Sequence, residues 1–223
     1  MINSSAPSGR LRMAVVPAPR PPLTVGVLRE HGLAQPGQPA HIKAWKRDNE
    51  QHLERGLRDL ELNARGLGPR FLGALWATVH RADGVDDLGL VSARVVTDAG
   101  VQFIVDAFQN LTELETMKYH GIGTGTTAEA ASQTALVTEA TTQYLTNNTR
   151  PAGTLAEGSS TNIYETVATV TVKASIAVTE HGIFSQTAVP GGTLLDRSLF
   201  TVVNLAANEA IVFTYDLTFP SGG

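Results

Sequence analysis

The 223-residue chain contains no cysteine, which excludes disulfides, thiolate zinc sites and a cysteine nucleophile together. It also lacks any apolar run near the roughly 18 residues that a membrane-spanning helix needs, and its first apolar block, "MAVV", is cut short by proline before it resembles a secretory core. Folding and assembly in a cytoplasm, away from membranes, is the expectation. Basic residues become scarce after Arg94. Residues 1–94 carry 13 Lys and Arg against 9 Asp and Glu, a net of +4, whereas residues 95–223 carry 4 against 12, a net of -8. The basic half interleaves its charges with acids on a helical pattern instead of forming a cationic stripe with aromatics, so nucleic acid is not an expected partner.

Proline is concentrated where regular structure is least expected. Seven of the eleven prolines fall in residues 1–40, where they remove backbone donors and fix φ. This region reads as an extended arm, the alternative being a disordered tail. Alternation at Leu23, Val25 and Val27, continued by Leu28, suits a short strand added to a neighbouring subunit's sheet, and makes these residues candidate partner contacts.

Residues 41–87 are expected to form a helical linker or docking segment. Proline vanishes in "HIKAWKRDNEQHLERGLRDLELNARG", and Ile42, Trp45, Leu53, Leu57 and Leu60 fall near helical spacing. That stripe either packs on its own domain or, with Trp45 as anchor, helps to hold a partner. "FLGALWATVH", residues 71–80, suits either a strand or a helix.

Residues 88–223 are expected to form the main body. A helix begins after Thr97 as N-cap, with Asp98 in its first turn and Val101, Ile104, Val105 and Phe108 as its apolar stripe. Beyond Asn110 the period changes to two. Val170, Val172, Ala174, Ile176 and Val178 alternate with polar residues, as do Ile211, Phe213, Tyr215, Leu217 and Phe219, and "LLDRSLFTVV" reads as a further strand between turn signals. Consecutive strands without intervening helices predict a mainly β protein: an antiparallel, jelly-roll-like β-sandwich with one packed helix, preceded by the amphipathic helix and the arm.

Motifs for chemistry are weak. Gly121, Gly123 and Gly125 lack the spacing and the lysine of phosphate cradles and read as a tight bend needing positive φ or close approach. His120 and His181 lack helical zinc spacing, leaving a cross-strand site with an acid as the sole metal option; no cofactor or metal is expected. No G-x-S-x-G elbow is present, and acid pairs drawn from Glu139, Glu165 and Glu180 have no specificity. Arg197 is either paired with Asp196 or Glu180 or solvated on a strand.

The succession "RVVTDAGVQFIVDAFQN", "KYHGIGTGTTAEAASQTAL", "TEATTQY", "NIYETVATVTV", "TEHGIFSQ", "GGTLLDRSLF" and "FTYDLTF" resembles a family of tailed-bacteriophage virion structural proteins over about residues 88–219. The resemblance implies a capsid cement or decoration protein, or a tail or collar fibre component, with no catalytic residues. It implies the phage major capsid protein and other copies of the same chain as partners, at the capsid surface of the virion. A host-carbohydrate-binding sandwich module is the alternative from another class.

Overall fold

The computed structural model describes residues 25–64 and 71–219. Two helices lead the chain, α1 (Val25–Gly32) and α2 (Ala40–Ala64). Strands β1 (Leu72–His80) and β2 (Val85–Val95) follow as a hairpin, and then α3 (Asp98–Phe108) with a 3-10 turn at Leu114–Thr116. The remaining strands are β3 (Tyr119–Gly123), β4 (Thr154–Glu157), β5 (Ile163–Thr171), β6 (Ile176–Phe184), β7 (Leu194–Leu205) and β8 (Ala210–Thr218). They form a five-stranded sheet in the order β2-β1-β8-β5-β4 and a three-stranded sheet in the order β3-β6-β7, antiparallel throughout. The main core, with Leu75, Val79, Ile122, Val178, Phe200 and Phe213, fills the space between the two sheets. The expected β-sandwich is therefore present.

The strand alternation conceals a break. Val170, Val172, Ile176 and Val178 are all buried, but Ala174 is exposed in the bend between β5 and β6, where the chain leaves one sheet for the other. Parity survives because both strands turn the same set of residues inward. On β8 the apolar face is as expected, but the opposite face is not solvated along its whole length. Thr214 and Asp216 are buried, and Asp216 accepts a 3.0 Å hydrogen bond from Trp76 Nε1.

The division at residues 87 and 88 falls inside β2, so the hairpin belongs to the sandwich and the helical segment ends before it. "FLGALWATVH" contributes β1, which lies between β2 and β8. Residues 25–32 correct the extended arm. No proline interrupts the chain between Pro22 and Pro36, so a helix is permitted there, and it is held because Leu28 is fully buried among Leu53, Leu57, Ala74, Trp76 and Leu90. Val25 and Val27 lie in that helix and not in a strand, and Leu23 lies outside the described residues. The C-terminal carbonyls of α1 are capped by the buried Lys46, whose Nζ donates to His31 O at 3.0 Å and Leu33 O at 3.3 Å, a favourable place for a cation at a helix end. Burial lowers the Lys46 pKa, opposed by nearby Asp87. Gly89 adopts φ +67 where β2 bulges against β1, and a Cβ there would come within 2.9 Å of His31 O, so glycine admits α1 to this position.

The stripe of α2 does pack on its own chain, and two polar residues lie in it. Lys46 and Asn49 stand four and seven positions after Ile42, and all three are buried. Asn49 joins the two sheets at their open side: Nδ2 donates to Val91 O on β2 and Oδ1 accepts from Thr201 N on β7, each at 2.8 Å. Trp45 is half-buried beside it, with Nε1 shared between Thr201 O and Val202 O at 3.2 and 3.1 Å. Leu28 and Trp45, expected as partner contacts, are thus used inside the chain. Replacing Asn49 by leucine leaves a buried carbonyl and a part-buried N–H unpaired and is expected to cost about 2 to 6 kcal/mol, since each orphaned group costs roughly 1 to 3. Chemical unfolding of Asn49→Leu beside the parent measures this, and an unchanged midpoint would show that the seam closes without the amide.

Candidate functional site

Two features stand apart from ordinary packing: a set of buried polar groups on both faces of the three-stranded sheet, and an exposed apolar face around α3.

Cross-strand register decides which groups meet. Gly121 pairs with Gly182 and Gly123 with Glu180, placing Gly121, Gly123, Glu180, Gly182 and, through β7, Arg197 on the outer face. This face is covered by the long connection 124–153, which has no helix or extended strand of its own. A connection of that length inside a compact domain needs anchors. Glu180, fully buried, supplies several: Oε1 accepts from Gly125 N at 2.9 Å and Thr138 N at 2.8 Å, and Oε2 accepts from Val137 N at 3.1 Å. Arg197 donates to the same carboxylate from Nε at 2.7 Å and reaches Thr127 O and Gln133 Oε1 from Nη1. A Cβ at Gly123 or Gly125 would lie within about 2.6 Å of Glu180 Oε1, so the glycines admit the carboxylate by close approach and without positive φ. Gly121 and Gly123 lie within β3 itself and are not a bend after it.

A second ion pair fastens the far end of the same connection. Arg150 donates to both carboxylate oxygens of Glu139, at 2.5 and 2.8 Å, and to Gln186 O and Gly191 O, while its guanidinium lies 3.5 Å over the Phe184 ring. Tyr144, buried between these anchors, accepts from Ile122 N at 2.8 Å, and burial raises its pKa further above the ordinary phenol value.

On the inner face, His120 and His181 are brought together as diagonal neighbours. His120 Nδ1 lies 3.0 Å from His181 Nε2, and His120 Nε2 lies 3.2 Å from Thr166 Oγ1 on the opposite sheet. The Phe213 ring centroid is 4.4 Å from that of His181. Both imidazoles are fully buried, and burial lowers the His120 pKa to about 3 and that of His181 well below its usual value. Two neutral rings share one proton per contact. The arrangement in which His181 Nε2 donates to His120, and His120 Nε2 donates to Thr166, leaves only a bare acceptor, His181 Nδ1, unpaired. Among the described residues no group of three His, Cys, Asp or Glu side chains is placed to hold a metal ion.

Of the alternatives open for Arg197, a bond to Asp196, a bond to Glu180 or solvation, the structure shows the bond to Glu180. Composition did not single out Lys46, Asn49 or Arg150; the two α2 residues are marked by their positions on the helical stripe, but Arg150 carries no local signal. Of the expected partner residues, Leu28 lies in the α1–α2 packing and Trp45 lies against the main core and β7, both apart from the histidine pair.

The helix α3 begins as expected, with Thr97 Oγ1 accepting from Gly100 N at 3.0 Å. Of the expected apolar stripe only Ile104 is buried. Gly100, Phe103 and Ile104 face inward, whereas Val101, Val105 and Phe108 are exposed, Phe108 to 84%. Apolar residues surround most of this helix, so period alone cannot choose a face; Gly100 chooses it by allowing the backbone to come against Leu195, where a Cβ would lie 2.6 Å from the carbonyl oxygen. Leu111 and Leu114 extend the exposed set to the 3-10 turn, which packs beside α3. Half of the exposed large hydrophobic side chains among the described residues therefore lie in residues 101–114. The charged residues within this segment are of one sign: residues 97–117 include Asp98, Asp106, Glu113 and Glu115 and no Lys or Arg, Lys118 being the next basic residue.

Shallow depressions occur elsewhere. One is lined by His80, Arg81, Asn208 and Glu209, and its Arg81 is bound to Asp86, Glu209 and Asn204 O at 2.8 to 3.0 Å. Among the described residues no helix is long and apolar enough to cross a membrane. Comparison of the chain with protein-family models, curated proteins and solved structures returns no match.

Proposed function

We propose that this protein is a non-enzymatic structural component of a tailed-phage particle, a cement or decoration protein that sits on the capsid surface and binds the lattice of the major capsid protein. The observation that carries the reading is the α3 face, where Val101, Val105, Phe108, Leu111 and Leu114 are exposed together, half of the exposed large hydrophobic side chains among the described residues. Contiguous apolar surface rimmed by polar groups marks association sites. The burial of the charged pairs supports the same reading, because Glu180, Arg197, Glu139 and Arg150 bind the backbone and one another to fasten a covering loop. A body of this kind suits permanent attachment without turnover. Tail or collar placement shares that physics but has no separate observation in its favour. A sugar-binding module would stack pyranose rings on exposed aromatics amid polar donors, whereas Phe108 stands among aliphatic side chains.

Particles assembled with and without the protein, heated while genome release is followed, test the reading. Release at a lower temperature without it is expected. Identical curves, with the protein shown to be present on the first set, would remove the cement role.

A further inference from the structure

The apolar face on α3 needs an occupant, and charge restricts the choice. Two such faces brought together would oppose eight carboxylates, Asp98, Asp106, Glu113 and Glu115 from each copy, an arrangement that like-charge repulsion disfavours. A complementary occupant carries apolar side chains among cations. Residues 1–24 have this chemistry: Arg10, Arg12 and Arg20 with no Asp or Glu, and the apolar block Leu11, Met13, Val15 and Val16 between the arginines.

Length and composition favour delivery to another molecule. Val25 opens α1 against its own α2 and β2, and the sequence between the apolar block and that point holds Pro17, Pro19, Pro21 and Pro22. Proline-rich sequence favours extension at about 3.1 Å per residue, so eight such residues are long enough to span roughly 25 Å. A body of this size has a radius of gyration near 16 Å. That length is sufficient for the block to meet a neighbouring copy.

We propose that residues 10–20 of one copy dock on the acid-rimmed apolar face of α3 and the following 3-10 turn in a neighbouring copy, so that the protein links to itself head to tail. This rests on reading the α3 face as an interface, but it does not depend on which lattice the protein occupies. Head-to-tail contacts of this type are heterologous and close into rings or continue along a surface.

The absence of native cysteine gives the test a clean background. In the full chain, Val15→Cys is combined with Gln109→Cys, an exposed position beside Phe108, and the isolated protein is mildly oxidised. A ladder of disulfide-linked chains on a non-reducing gel is expected. It should weaken at least tenfold in high salt, when Arg10, Arg12 and Arg20 are all changed to Glu, and when Phe108, exposed to solvent, is changed to Glu. The thermal melt of Phe108→Glu should match the parent, which separates lost docking from lost folding. Pairing Val15→Cys with Val85→Cys, at the exposed β1–β2 turn, is expected to give only background linkage. Linkage within one chain, equal linkage to position 85, or none to position 109 would each overturn the proposal. Because no particle is present, these results are independent of the heating experiment: thermal protection without linkage removes this inference alone, and linkage without protection removes only the cement role.

Discussion

Replacing Arg197 by methionine is expected to remove about 3 to 5 kcal/mol of stability, the cost of leaving a buried charge without its partner. That is a large share of the 5 to 15 kcal/mol of a typical domain. Glu180 and Arg197 are buried, and the carboxylate is held by N–H groups of residues 125, 137 and 138 as well as by the guanidinium. This geometry makes a second expectation possible. In many buried pairs the joint replacement by neutral groups restores stability, but here Glu180→Gln would turn an amide NH2 toward backbone donors that need an acceptor. The double variant Glu180→Gln, Arg197→Met is therefore expected to be no more stable than Arg197→Met alone. Urea unfolding gives the global loss, and limited proteolysis reports whether residues 126–137 are released first, as the loss of the contacts to Thr127 O and Gln133 implies. A loss below about 1 kcal/mol, the range of solvated pairs, would mean that water reaches the ion pair and that the loop is held by something else.

Such residues also show where the sequence was legible. Flanking turn signals located β7, the period of two located the inner face of β8, and the cap at Thr97 located the start of α3, because those signals arise within a few residues of the structure they specify. Faces and boundaries were harder to read. The buried side of α3 is selected by Gly100 meeting Leu195 on β7, a contact between positions 95 residues apart. The bend at Ala174 is invisible to alternation because both flanking strands keep the same parity. Leu28 becomes core only when Leu53, Leu57 and Trp76 surround it. Arg197 was legible as a pair because basic residues are so scarce after Arg94. Arg150, equally buried, was not, since its partners Glu139, Phe184, Gln186 and Gly191 come from separate segments. His120 and His181 could be named but not joined, since their distance depends on the register of β3 against β6.

That register yields the second large expected effect, a loss of stability in mild acid. Both histidines are neutral in the folded protein, with folded pKa values lowered by burial, that of His120 to about 3. The sign follows from proton binding. Below the unfolded value near 6.5 the unfolded chain takes up two protons that the native rings do not, so the stability fully present above that pH declines as pH falls toward the folded pKa values. Each ring contributes a slope of about 1.4 kcal/mol per pH unit, and the pair about 2.7. By pH 4.5 His120 alone, with its folded value near 3, accounts for a loss of about 2 to 3 kcal/mol, and His181 adds to it in the same direction, a large share of the stability of an ordinary domain. Asp86 acts in the same direction but later: burial opposes its ionisation, yet hydrogen bonds from Arg81 and His41 outweigh this and hold it below the usual carboxylate range. Its contribution is therefore lost only at lower pH. Unfolding free energies measured between pH 7.5 and 4.5 should give a slope approaching two protons in the parent and about one in His181→Phe, whose ring keeps the contact with Phe213 while removing one titrating group. Equal slopes in the two proteins would place the acid sensitivity elsewhere and show that at least one imidazole accepts a proton without leaving the core.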